Sequence, residues 1–139
     1  MLFPKKVKHR KWQKKRLNPQ KAGVATRGVH VSFGSHGLKA VSYARVRSNQ
    51  IEAARRVISR SMGKTGKVWI RIFPDRPYTQ KAAEVGMGKG KGEVQGYEVE
   101  VLPGRIMFEV DGVSDAVASE SLRKAGAKLP LSTKVVTRV

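Results

Sequence analysis

Apolar residues recur at helical spacing in the segment that begins near residue 50. The recurring positions are Ile51, Ala54, Ile58 and Met62. Their spacing of three or four residues predicts a helix that buries one stripe of its surface. Asn49 is a typical capping residue and Glu52 follows it three positions later, so we expect the helix to begin here.

A second helix is predicted to begin at Ser114, whose hydroxyl can accept a hydrogen bond from the first turn. Asp115 follows at a position where the helix dipole favours an acidic side chain. Gly126 is typical of a residue close to the end of the helix. The residues expected to supply its apolar contacts are Val117, Leu122 and Ala125.

Alternation with a period of two predicts strands in other parts of the chain. Lys67–Phe73 is rich in β-branched and aromatic residues, and its odd-numbered residues, among them Trp69 and Arg71, point to one side. Tyr97–Val101 and Ile106–Val110 alternate on either side of the turn formed by residues 102–105. We therefore predict a β-hairpin.

The acids of that hairpin, Glu98 and Glu100, fall on its polar face, where either could pair with Arg71. Weaker strand patterns occur at His30–Phe33 and Leu38–Tyr43, which are two short strands or one bent strand. Residues 133–139 are a last strand, expected beside the hairpin or beside residues 67–73.

This order of elements predicts an α+β fold: a mostly antiparallel sheet or sandwich with two helices on one face. The 139 residues are about one domain's worth of chain, so we expect residues 1–139 to form a single domain. Residues 74–96 show no clear period, and Pro74 and Pro77 argue against a strand there. A structureless connection of this length is unusual and tends to be functional.

The centre of this long loop is glycine-rich and basic. We call it the Gly/Lys loop, and it consists of Gly86, Met87, Gly88, Lys89, Gly90, Lys91 and Gly92. Such a loop can cradle phosphates, approach a nucleic-acid backbone or join two elements flexibly. The glycine spacing excludes a dinucleotide-binding loop, and Ile58 occupies the glycine position that a P-loop ending at Gly63-Lys64-Thr65 would need.

The chain is strongly basic, with 29 Lys and Arg against 10 Asp and Glu, a formal net charge of +19. Residues 1–74 carry 19 basic residues and a single acid, Glu52, whereas residues 75–139 are almost balanced. A compact domain with this excess would repel itself, so its partner is expected to be a polyanion.

The N-terminal residues 1–22, which we call the arm, hold the densest positive charge and no acid. A solvated tail is one interpretation of such a segment. Trp12 favours a second one, in which the indole stacks on a base or docks onto the core. Three arginines lie off the buried stripe of the first helix, where they either form a solvated face or contact phosphates: Arg55, Arg56 and Arg60.

Other classes of function are disfavoured by composition. The chain has no cysteine, and His9, His30 and His36 do not have the spacing of a metal site. The carboxylates are not grouped with possible nucleophiles, so we expect neither an enzyme nor a cofactor. No apolar run approaches the length of a membrane-spanning helix.

Several long motifs resemble, in order, the bacterial-type large-subunit ribosomal protein sixteen family. They are Lys67-Val-Trp-Ile-Arg-Ile-Phe-Pro-Asp-Arg-Pro77, Met87-Gly-Lys-Gly-Lys-Gly92, Gln50-Ile-Glu-Ala-Ala-Arg-Arg56, Pro103-Gly-Arg-Ile-Met-Phe-Glu-Val-Asp-Gly-Val113 and Lys128-Leu-Pro-Leu-Ser-Thr-Lys134. The chain begins with Met-Leu-Phe-Pro-Lys-Lys, which is also similar to the family. Gly86 departs from it, since an arginine usually precedes Met-Gly-Lys.

The resemblance implies a non-enzymatic constituent of the large ribosomal subunit in the cytoplasm, without membrane association or homo-oligomer. It implies binding to 23S rRNA near 5S rRNA, neighbouring large-subunit proteins, and contact of the Gly/Lys loop with A-site tRNA, P-site tRNA being a second candidate. The implied rRNA-binding residues are Lys5, Lys6, Lys8, Arg10, Lys11, Lys14, Lys15, Arg16, Arg55, Arg56 and Arg60. A DNA-binding architectural protein is the alternative.

Overall fold

The computed structural model describes residues 1–15 and 18–139. The arm contains one short 3-10 turn, Pro19–Lys21. The strands are β1 (His36–Ala40), β2 (Ala44–Arg47), β3 (Lys67–Ile70), β4 (Arg76–Gln80), β5 (Glu93–Val101), β6 (Ile106–Asp111) and β7 (Thr133–Thr137). The helices are α1 (Ser48–Met62) and α2 (Asp115–Gly126). The predicted α+β class is confirmed.

The strands form two antiparallel sheets. The four-stranded sheet has the order β3-β6-β1-β7, and the three-stranded sheet has the order β2-β5-β4. The two helices pack against each other; α2 contacts β1 and β7, and α1 contacts β3 and β2. Both helices therefore cover one face of the four-stranded sheet, and the core lies between the two layers.

The buried stripe predicted for α1 is confirmed, because Ile51, Ala54, Ile58 and Met62 are its buried residues. The helix begins at Ser48, within the segment predicted to open it, but the predicted cap is wrong. Arg47 is the N-cap residue, and its amide donates to Oε1 of Gln50 at 2.8 Å. Glu52 instead accepts from arginines one turn further along the helix.

In α2 the predicted cap is confirmed, since the Ser114 hydroxyl accepts from the amide of Val117. Two of its predicted apolar contacts, Leu122 and Ala125, are confirmed, because both lie in the core. The third is wrong: Val117 is exposed, and Ala118 lies in the core instead. The helix packs against both α1 and the sheet, where a small side chain fits.

The predicted hairpin is wrong, although its turn is present. Arg105 N–H donates to the Leu102 carbonyl at 3.2 Å, and Gly104 has a φ of 100°, the conformation that glycine permits. However, β5 lies between β2 and β4, whereas β6 lies between β1 and β3. Each strand already has a partner on both sides, so the turn carries the chain from one sheet to the other.

Other strand predictions also change. Residues 30–33 form no strand, β1 begins at His36, and β2 was not predicted. β3 ends at Ile70 rather than Phe73, and β7 pairs with β1 because both sides of β6 are occupied. The predicted loop at 74–96 is too long: it includes β4 and the start of β5. Pro77 is tolerated in β4 because that strand lies at a sheet edge.

Candidate nucleic-acid interface

The arm follows the three-stranded sheet, and side chains of that sheet hold its backbone. Arg76 donates to the Gln13 carbonyl at 2.7 Å, and Arg45 donates to the Lys15 carbonyl at 2.5 Å. At the start of the chain, the Ser48 hydroxyl donates to the Leu2 carbonyl at 2.5 Å. The arm is therefore held at its first residues and again at residues 13–15.

Trp12 docks against this sheet. The guanidinium of Arg76 lies 5.6 Å from the centre of the Trp12 ring, within cation–π range, and 39% of the tryptophan stays exposed. Of the two interpretations of Trp12, docking agrees with this geometry. The sequence did not indicate that Arg76 contacts Trp12, because the two residues are far apart in the chain and no pattern links them.

The basic side chains of the arm point mostly to solvent while its backbone is held. Lys11 is partly buried, and the exposed ones are Lys5, Lys6, Lys8, Arg10, Lys14 and Lys15. Arg16, also predicted to bind rRNA, lies outside the described residues. The arrangement presents a row of exposed cations on a segment held at both ends, which suits contact with successive phosphates.

The Gly/Lys loop projects from the body between β4 and β5. Its middle residues Gly88, Lys89 and Gly90 have φ angles of 104°, 60° and 93°. Two of the three are glycines, for which this left-handed conformation costs little. Met87 is 99% exposed, and within the described residues no atom lies within 4 Å of a Cβ added at Gly86, Gly88 or Gly90. The tip of the loop is thus open around the side-chain positions of residues 86, 88 and 90.

The arm fastens the base of the Gly/Lys loop. The Lys91 ammonium donates to the Trp12 carbonyl, and Lys11 Nζ donates to the Lys91 carbonyl at 3.3 Å. Arg10 pairs with Glu93 at 2.7 Å, just beyond the loop. Lys91 therefore contacts the arm, whereas the described residues supply no hydrogen-bond partner for the Lys89 side chain.

A further connection, from the Lys81 ammonium to the Gly88 carbonyl, joins the end of β4 to the loop itself. These contacts bring the arm and the loop, which are 80 residues apart in sequence, into one surface. Sequence patterns could not indicate this, because neither segment has a period that specifies a partner.

On α1, the three predicted arginines differ. Arg55 forms two hydrogen bonds to Glu52, at 3.0 and 2.5 Å, and Arg56 lies 3.3 Å from the same carboxylate. The hydrogen bond from Arg55 is the largest cause that lowers the pKa of Glu52 to about 2, against the opposing effect of burial. Arg60 is exposed in the last turn. Glu52 thus neutralises part of this edge.

Of the acids predicted to face away from the core, Glu100 pairs with arginines and Glu98 is buried beside them. Glu100 lies 3.0 Å from Arg45 and 3.7 Å from Arg76, and Glu98 is buried opposite Arg47 and Arg76 in the strand register. Neither acid pairs with Arg71. That arginine pairs with the fully buried Glu109 of β6. The predicted hairpin had paired this strand with β5 instead of β3.

In the described ranges 1–15 and 18–139, no group of three or more His, Cys, Asp or Glu could hold a metal ion. None of the helices in those ranges has the length and hydropathy needed to cross a membrane.

Residues 4–136 match a family model described as Ribosomal protein L16p/L10e. The chain belongs to this family. It is 56% identical over 139 residues to the large ribosomal subunit protein uL16 of Caulobacter vibrioides strain NA1000 / CB15N, covering all of this chain and 94% of the relative. It is 52% identical over 138 residues to the uL16 protein of Halorhodospira halophila, covering 99% of this chain and 98% of the relative.

Family membership confirms the resemblance found in the sequence motifs. The chain is a structural, non-enzymatic constituent of the large ribosomal subunit, and it acts in the cytoplasmic ribosome. Its partners are rRNA and other ribosomal proteins. The exposed lysines of the arm and of the Gly/Lys loop therefore belong to a protein whose partners include rRNA.

Proposed function

We propose that this chain binds 23S rRNA near 5S rRNA through its arm and the outer edge of α1. We further propose that its Gly/Lys loop contacts A-site tRNA during translation, with P-site tRNA as the second candidate. The observation that carries the proposal is the fastened base and open tip of the loop. A loop that served only to join β4 and β5 would not need contacts from the arm.

The chemistry needs no recognition of individual bases. Lysine and arginine side chains displace the counterions condensed on phosphates, and the resulting affinity depends steeply on salt. A-form RNA hides its major groove, so a protein of this kind contacts backbone and shape. The arm supplies cations at successive positions, and the glycines of the loop permit a close approach of the backbone to phosphates.

Binding of the purified chain to rRNA fragments tests the first part. We expect the affinity to fall roughly a thousandfold between about 50 and 200 mM salt if six or more phosphates are contacted. Replacing Lys5, Lys8 and Lys14 with glutamine should make this salt dependence shallower. The same change at Lys64, Lys128 and Lys134, three exposed lysines outside the arm, is the matched control. An affinity that does not change with salt would contradict the proposal.

Charge reversal at Lys89 tests the role of the loop tip. The side chain is exposed, so Lys89→Glu should leave the unfolding free energy unchanged while it impairs tRNA accommodation by large subunits that carry the variant. Lys91→Glu should have the additional effect of loosening the arm, because it removes the contact with the Trp12 carbonyl. Wild-type rates of accommodation with Lys89→Glu would refute the tRNA contact.

Sucrose-gradient sedimentation separates this function from a DNA-binding architectural role. We expect the chain to sediment with free large subunits and with assembled ribosomes. A chain that binds duplex DNA as tightly as rRNA and stays at the top of the gradient would contradict the proposed rRNA partner.

A further inference from the structure

The outer face of the four-stranded sheet, which the helices leave uncovered, carries a small aromatic surface. Phe33 and Trp69 lie with ring centroids 6.3 Å apart and ring planes only 19° from parallel. Phe33 is 55% exposed, although a phenyl ring of this size usually finds cover in a folded domain. At this separation the rings overlap little, and the exposed surface of Phe33 is where a further planar group could stack.

A buried carboxylate fixes Phe33 in this position. Oε1 of Glu109 accepts the backbone amides of Ser32, Phe33 and Gly34 at 2.9, 2.7 and 2.9 Å. Oε2 of the same carboxylate accepts from Arg71. Glu109 has no exposed surface, so the segment that carries Phe33 is held by charge-assisted hydrogen bonds rather than by burial of its own side chain.

Cations flank the two rings. The Arg71 guanidinium lies 5.1 Å from the centre of Phe33, and the Lys67 ammonium lies 5.4 Å from the centre of Trp69. The nearest acids are Glu109, which is buried and engaged, and Asp111, which lies opposite Lys67 in the strand register. We call Phe33, Trp69, Lys67 and Arg71 the aromatic patch.

We propose that the aromatic patch is a stacking site for an unpaired base of rRNA. Stacking on aromatic side chains is the interaction by which proteins hold bases that are free of a duplex, and neighbouring cations can hold the adjoining phosphates. A protein partner would be expected to cover a larger apolar area than two rings. The inference rests on the proposed rRNA binding, but it assigns a separate surface, because the arm and the Gly/Lys loop lie on the other sheet.

Tryptophan fluorescence tests the proposal directly. The chain has two tryptophans, so Trp12→Phe leaves Trp69 as the single reporter and keeps an aromatic ring beside Arg76. We expect an unstructured RNA oligonucleotide to quench Trp69 emission and a duplex of the same length to leave it unchanged. Equal quenching by the duplex, or no quenching by either RNA, would overturn the stacking site.

Substitutions at Phe33 separate stacking from general apolar contact. Phe33→Leu should lower the affinity for the single strand about 5- to 150-fold, the equivalent of one stacked base, whereas Phe33→Tyr should retain it. Phe73→Leu is the matched control, since Phe73 is also exposed and lies beyond the end of β3. An equal loss from Phe73→Leu, or no loss from Phe33→Leu, would contradict a role for the stacked pair.

The outcomes also distinguish this inference from the function on which it rests. If RNA binds with a steep salt dependence but Phe33→Leu has no effect, only the aromatic patch is wrong. If no RNA binds at low salt, the proposed function itself fails. Chemical probing of large subunits without tRNA should show one newly reactive 23S rRNA base in Phe33→Leu. An unchanged reactivity pattern of the 23S rRNA would refute an rRNA occupant.

Discussion

Replacing Glu109 with glutamine should destabilise the fold more than any other single change of charge considered in this chain. The carboxylate is fully buried and accepts three backbone amides on one oxygen and Arg71 on the other. Burial alone would raise the pKa of Glu109, but the hydrogen bonds from Gly34, Phe33 and Arg71 outweigh burial and hold that pKa below its ordinary value. The ionised form is therefore the one that the fold selects.

The size of the effect follows from these contacts. Glutamine keeps an oxygen for the backbone amides, but it loses the charge and presents an amide to Arg71. Breaking a buried ion pair costs about 3–5 kcal/mol, because the remaining charge loses its partner. The Arg71 side chain is 18% exposed and also donates to the His30 carbonyl at 3.0 Å, so water and that carbonyl relieve part of the penalty. We expect a loss of about 2–4 kcal/mol.

Urea unfolding at pH 7 measures this loss. A double-mutant cycle with Arg71→Met then measures the coupling between the two side chains. Glu109→Gln should cost less in the Arg71→Met background, because the unpaired guanidinium is gone. The exposed pair of Glu120 and Arg123, at 2.5 Å, is the matched control, and Glu120→Gln should have little effect. A loss below about 0.5 kcal/mol for Glu109→Gln, within the range of ordinary surface substitutions, would refute the reasoning.

The same pair predicts a dependence on pH. Folding lowers the pKa of Glu109 from its ordinary value of 4.5. The ionised carboxylate therefore stabilises the protein fully at a pH above 4.5. That contribution is lost as the pH falls from 4.5 through the lowered pKa of the folded state. The difference in stability between wild type and Glu109→Gln should therefore be complete at pH 7 and shrink below pH 4.5. A difference that stays constant down to pH 3 would contradict the assignment of the charge to Glu109.

Three further predictions concern the proposed RNA surface. Gly92→Ala should destabilise the chain by about 1–3 kcal/mol in urea unfolding, because its Cβ would lie 2.8 Å from a backbone carbon of β4. Gly86→Ala, where the added Cβ meets open space, should leave the unfolding free energy unchanged. An equal loss of stability in both variants would contradict the close packing at Gly92. Gly86→Arg should steepen the salt dependence of RNA binding, with a slope greater by about 0.9 for one added phosphate contact; an unchanged slope would place the tip away from RNA. Glu52→Gln should free Arg55 and Arg56 and raise rRNA affinity about two- to fivefold in filter binding, and an unchanged affinity would remove this helix edge from the interface.

The sequence was sufficient to predict local structure that depends on one segment. The stripe of α1 is such a case, because burial of Ile51, Ala54, Ile58 and Met62 follows from helical spacing alone. The cap of α2 at Ser114 depends on a single hydroxyl and the first turn. The turn at residues 102–105 likewise follows from Pro103 and Gly104.

Lateral pairing of the strands could not be predicted in the same way. A turn fixes the reversal of the chain, but the partner of each strand depends on which edges are free after all seven strands have assembled. β6 is flanked by β3 and β1, so it has no edge for β5. The error then extends to the site, because assigning β6 to a hairpin with β5 conceals that Glu109 lies beside Trp69 and Arg71.

The distribution of charge has a different meaning once the ion pairs are known. The sequence suggests that nearly all the positive charge of residues 1–74 faces an anion. In the described structure, carboxylates from the second half take up arginines from the first: Glu93 pairs with Arg10, Glu100 with Arg45, and Glu109 with Arg71.

The lysines are used differently. Within the described residues, Lys124 is the one lysine in an ion pair, at 4.0 Å from Glu120, and most lysines of the arm are exposed. The planar guanidinium suits bidentate and partly buried contacts, whereas the ammonium is compact and strongly hydrated. In this chain the arginines form nearly all of the described ion pairs, whereas most arm lysines are exposed and match the proposed contacts with phosphates. The salt dependence of RNA binding should therefore follow the number of arm lysines, and the stability of the fold should follow the paired arginines.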